Sequence, residues 1–106
     1  MMKFLMRGSY SVEGVQGLMK VGGSSRRSHF EEITKSLGGT VECFYYAFGS
    51  NDVFAIVDLP GDAEAAALSL GIAAGGAFSP EIVVLFDPEL VDEAVKKDIR
   101  YRPPGD

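Results

Sequence analysis

A chain of 106 residues, 46% hydrophobic and 24% charged, has room for one domain with its own core and the composition of a globular protein. Ten Lys and Arg against fifteen Asp and Glu leave a net charge of -5, which opposes nucleic acid, and the basic clusters at Arg26-Arg27 and Lys96 to Arg102 lack the interleaved aromatics of a nucleic-acid groove. The lone Cys43 excludes an intrachain disulfide framework and a cysteine-rich metal site; with no signal-like start and no run near the roughly 18 apolar residues of a membrane span, a cytoplasmic protein without a membrane partner is expected.

Lys3 to Tyr10 reads as a first strand, with Phe4 and Met6 on one side and Leu5 and Arg7 on the other. Ser11 is placed to cap a short helical stretch carrying Val12, Val15, Leu18 and Met19, in which Gly14 and Gly17 each cost about 1 kcal/mol relative to alanine. Gly22-Gly23 breaks that stretch. Ser24 or Ser25 then caps a firmer helix whose Phe30, Ile33 and Leu37 face inward before Gly38-Gly39 ends it.

Thr40 to Leu59 holds two apolar runs joined by Gly49-Ser50-Asn51-Asp52, the pattern of a β-hairpin. Val41, Cys43, Tyr45 and Ala47 alternate with Glu42, Phe44, Tyr46 and Phe48, and Val53, Ala55 and Val57 alternate with Phe54, Ile56 and Asp58. Both faces therefore carry large apolar groups, and the sheet should be covered on two sides. After Pro60-Gly61, Asp62 caps an alanine-rich helix over residues 63–74, whose small side chains permit close approach to a sheet. Glu81 to Phe86 is a fourth strand with little alternation. Asp87-Pro88-Glu89 starts a helix expected to run through Ile99, and residues 100–106 form an extended tail.

The predicted order is βαββαβ followed by a helix: a single α+β, ferredoxin-like domain over residues 1–106, with an antiparallel four-stranded sheet and two helices on one face. Residues 1–87 form its core, 88–99 the carboxyl-terminal helix and 100–106 the tail. If Phe44, Tyr46, Phe48, Val53 and Val57 lay on the other face, burying them at roughly 1.5–3 kcal/mol each would supply on the order of 10 kcal/mol. Self-association through that face, most simply as a two-fold dimer, follows; a carboxyl-terminal helix folded across it within one chain is the competing arrangement.

Leu37-Gly38-Gly39, Phe44-Tyr45-Tyr46, the turn Gly49 to Asp52 followed by Val53 to Val57, and the alanine-rich Ala65 to Leu70 resemble the bacterial GYD-domain proteins over nearly the whole chain. Gly22 to Arg27 and the ending Lys96-Lys97 with Tyr101 to Gly105 are similar to one branch of them. Of the glycine, tyrosine and aspartate at the hairpin turn, Gly49 and Asp52 match, whereas Asn51 stands at the tyrosine position. The resemblance implies a dimeric α+β barrel, in which two open sheets pack face to face. That superfamily includes cofactor-free monooxygenases, small isomerases, haem-degrading enzymes and ligand-sensing domains.

Gly22 to Arg27 combines flexible backbone, two hydroxyls, a helix start and two guanidinium groups, which suit a carboxylate or phosphate; a glycine hinge with a serine cap and solvated arginines is the plainer reading. No Walker-type lysine follows. His29 is the sole histidine, so no two-histidine metal site forms within one chain, and no metal or cofactor is expected. It lies three residues after Arg26 on one helical face and could serve as a general base and proton shuttle or, singly, as a haem ligand. Tyr10, Tyr45 and Tyr46 are core tyrosines or ligand-orienting phenols, Cys43 a buried inert thiol, and Asp52 a turn-stabilising carboxylate. The tail is either free or docked on a neighbouring subunit.

Three functions follow. The leading one is a regulatory or binding module for a small anionic or aromatic ligand, contacted by Tyr10, Ser24, Arg26, Arg27 and His29 with Tyr46 as an aromatic wall. The second is a metal-independent monooxygenase or isomerase using His29. The third is a structural oligomer or adaptor for a partner protein.

Overall fold

The computed structural model describes residues Met1–Asp106. In chain order the elements are β1 (Met2–Tyr10), α1 (Val12–Val21), α2 (Gly23–Ser36), β2 (Thr40–Tyr46), β3 (Val53–Leu59), α3 (Asp62–Ala74), β4 (Phe78–Leu85) and α4 (Pro88–Ala94). The strands form one antiparallel sheet in the order β2-β3-β1-β4, an α+β architecture.

Local chemistry sets most boundaries. Ser11 Oγ accepts from the Gly14 N–H at 3.1 Å and starts α1. Neither Ser24 nor Ser25 caps α2: Gly22, at φ 89°, is the only break between α1 and α2, and both serines lie in the first turn of α2. A side chain would be strained at that φ, which is why glycine occupies the corner. Asp62 likewise is the first residue of α3, with Gly61 before it. The strands of the hairpin stop at Tyr46 and resume at Val53, so Ala47 and Phe48 belong to the turn rather than to β2.

The core lies between the sheet and the helices α2 and α3, where Phe4, Met6, Val53, Ala55, Val57 and Leu59 meet Phe30, Ala65 and Leu68. This corrects the expected assignment of faces. Val53 and Val57 are buried beneath the helices, and Phe44 and Tyr46 pack against the same cluster. The helix-free face instead carries half-buried Leu5, Phe54, Ile56, Val83 and Leu85 with exposed Tyr45. Charge pairs flank this strip. Lys3 Nζ lies 3.0 Å from both Asp58 and Glu42, and Arg7 lies 3.0 Å from Glu81.

A β-bulge explains one misread residue. Val41 pairs with Val57 and Cys43 with the adjacent Ile56, so Glu42 is an extra residue and the alternation of β2 changes phase there. Val41 joins the core side, while Cys43 lies half-buried on the open face instead of inside the core.

The chain beyond β4 departs furthest from expectation. Helix α4 ends at Ala94 rather than Ile99, closing on Lys96 and Lys97 N–H groups that donate to Glu93 and Ala94. Every residue from Phe86 to Asp106 is exposed, so this segment does not cover the open sheet face of its own chain. A short helix with no packed side gains too little to extend.

Candidate functional site

Helix α2 packs on β2 while α3 packs on β4 and β3, so the two helices sit toward opposite edges of the same sheet face. Between them, and roofed on one side by α1, opens a cleft of about 600 Å³. Adjoining it is a smaller pocket of about 60 Å³ floored by Met6, Phe44 and Val53 of the sheet. Tyr10, Arg26, His29, Ile33, Ile72 and Phe78 line both parts.

The helical repeat explains which polar groups arrive there. Arg26, His29, Ile33 and Ser36 recur at three- and four-residue spacing and present one side of α2 to the cleft. Ser24 and Arg27 lie about 100° further round per residue and face the other way. They line a separate shallow depression with Gly23, Phe44, Tyr45 and Tyr46. The six candidate residues thus divide equally: Tyr10, Arg26 and His29 converge on the cleft, while Ser24, Arg27 and Tyr46 do not.

Tyr46 connects the two regions. Its hydroxyl donates to the Gly23 carbonyl at 3.0 Å, tying the α1–α2 corner to the sheet. Burial pushes its phenol up to about 12, reinforced by the adjacent Tyr10 phenol and opposed by Arg26 and Arg27. Tyr10 is held at the cleft by packing and by its backbone. Its ring stands edge-on to Phe78 at 5.0 Å, and its N–H donates to Asp52 Oδ2 at 2.9 Å. The Asp52 carboxylate therefore ties the hairpin turn to the end of β1, a longer reach than the turn-local bond expected of it. The Asp52 N–H completes the link by donating to the Gly8 carbonyl at 2.8 Å.

Several lining residues escaped sequence reasoning. Glu13 stands on the α1 side of the mouth, and Gly17 and Gly71 give the cleft part of its width. A Cβ added at either glycine would meet nothing within 4 Å. Glycines inside helical stretches were the available signal, but only the fold shows that these two line one cleft. No group of three or more His, Cys, Asp or Glu side chains is placed to hold a metal ion.

A profile of the GYD domain matches residues 4–95 of the 106-residue chain. The chain belongs to the GYD-domain family. The match takes in Tyr10, both helices of the cleft, the hairpin with Asp52, and α4. No curated protein and no solved structure matches this GYD domain.

Proposed function

We propose that this GYD domain is a small-molecule-binding module, ferredoxin-like in its protomer and paired with a second copy through the open sheet face as a dimeric α+β barrel. The cleft carries the binding half of this reading. An apolar floor with Arg26 and His29 at its mouth suits a ligand with an aromatic or aliphatic body and an anionic end, and Glu13 opposite can accept from a hydroxyl or amine. The strand order β2-β3-β1-β4 and the placement of the helices on one face support the ferredoxin-like plan. The half-buried apolar strip on the other face supports pairing. No helix is long and apolar enough to cross a membrane, and the single free cysteine suits a reducing cytoplasm.

Titration calorimetry with a panel of aryl and alkyl carboxylates and phosphates tests the site. A binder found there should lose at least about tenfold in affinity in Arg26→Ala, the worth of one charge-assisted hydrogen bond, and keep its affinity in Arg27→Ala. Equal effects of the two substitutions, or none from Arg26, remove the cleft as the site.

The catalytic reading has one observation in its favour, that the cleft reaches His29. It needs water excluded around that imidazole. His29 is exposed at the mouth of an open cleft, so binding stands ahead of metal-independent isomerase or monooxygenase chemistry.

A further inference from the structure

We propose that the carboxyl-terminal arm, Phe86 to Asp106, is a clasp by which each copy grips a second copy of this chain. The proposal rests on the pairing described above and adds the element that secures it.

Surface area carries the argument. The chain exposes 7307 Å². A compact monomer of its 11.4 kDa exposes about 5,800 Å². The excess, about 1,500 Å² per copy, exceeds the ~800 Å² that each partner contributes to an interface of standard size. Shape agrees: the radius of gyration is 16.9 Å, against about 13 Å for a compact chain of this length.

The excess has a place and a chemistry. Every residue of the arm is exposed, including Phe86, Leu90 and Val91, with Val95 at 74%, Ile99 at 76% and Tyr101 at 72%. Six large apolar side chains on 21 residues are too many for a solvated tail, and none is buried by its own body. The protomer core is correspondingly small, with ten apolar residues buried among 106.

Continuity selects a second copy as the occupant. The arm leaves β4 directly after Val83 and Leu85, which belong to the apolar strip of the open face. A copy seated on that strip meets Phe86, Leu90 and Val91 next. Under a two-fold axis each copy both gives and receives an arm, so the gain is counted twice. Pro103-Pro104 stiffens the end of the arm and lowers the entropy lost on docking.

Two measurements on the full chain test the clasp. Sedimentation equilibrium compares it with the double variant Val95→Asp/Ile99→Asp, whose substituted side chains are 74% and 76% exposed and lie outside the protomer core, with circular dichroism checking that the fold is kept. A nitroxide attached at Ile99→Cys in a Cys43→Ser background is then mixed, as unlabelled chain, with 15N-labelled chain that carries no nitroxide. The clasp predicts a dimer whose dissociation constant rises at least about 100-fold in the double variant, and line broadening in the 15N-labelled chain. A dimer equally tight with and without the substitutions, with no broadening between chains, overturns the clasp and leaves sheet pairing standing. Broadening seen only when nitroxide and 15N are carried by the same chain, and unchanged on dilution with unlabelled, nitroxide-free chain, places the arm on its own body and also overturns it. A full chain that stays monomeric defeats both readings together.

Discussion

Tyr46 shows how much one side chain can organise. Its ring packs on the core, stacks on Phe48 at 5.7 Å, and sends its hydroxyl to the Gly23 carbonyl. The stack helps hold Phe48 at φ 54°, a left-handed conformation that costs a bulky residue about 1 kcal/mol or more. Raising the phenol from 10 to about 12 means that the fold favours the neutral form. This contribution is complete below pH about 10 and is lost as pH rises toward 12. A spectrophotometric titration should resolve one of the four tyrosines ionising near 12, absent in Tyr46→Phe, and the difference in stability between the two proteins should shrink across that interval. On the open face the Arg7 guanidinium, by hydrogen bond and by charge, holds the Glu81 carboxyl below its ordinary range. That Arg26 and His29 share one side of α2 was legible from their spacing alone. That Arg27 and Ser24 leave it was equally implied by helical geometry, but the sequence offers no landmark for which side of α2 meets the groove.

Among the elements, β2 and the helices teach different lessons. Alternation along β2 was readable, yet the bulge at Glu42 reverses its phase, and no turn residue announces it. The Lys3 ammonium bonding both Glu42 and Asp58 gives the displaced carboxylate a partner. The glycines of α1 and α3 divide by environment. A Cβ at Gly14 would lie 2.1 Å from the Ala77 carbonyl oxygen, so that glycine allows α1 to touch the chain before β4. Gly17 and Gly71 face open space. Gly17→Ala should therefore raise the unfolding free energy by about 0.5–1 kcal/mol in urea titrations, through helix propensity and reduced freedom of the unfolded chain. Gly71→Leu should fill the cleft and abolish binding of the carboxylate found by calorimetry while thermal unfolding stays where it was or rises. A leucine variant that binds normally would place the ligand elsewhere.

For the whole molecule, the proposed pairing makes Cys43 a reporter. It lies half-buried on the open face opposite Ile56, in the path of a second copy. Thiol labelling should slow at least about tenfold as protein concentration is raised through the dissociation constant, because pairing closes access to the sulfur. A Leu5→Glu variant, which places a carboxylate that pairing would desolvate in the middle of the strip, should label rapidly at all concentrations. Fast, concentration-independent labelling of the unmodified protein would count against pairing through this face.

The order of strands and helices, the glycine breaks and the shared face of Arg26 and His29 were determined by the sequence itself, because local periodicity and backbone chemistry act within a few residues. The identity of the open face, the cleft between α2 and α3, the reach of Asp52 to Tyr10 and the detachment of the arm were decided only by tertiary structure. Each depends on groups brought together from distant parts of the chain, and no local pattern records which surface a segment will find, or fail to find, as its neighbour.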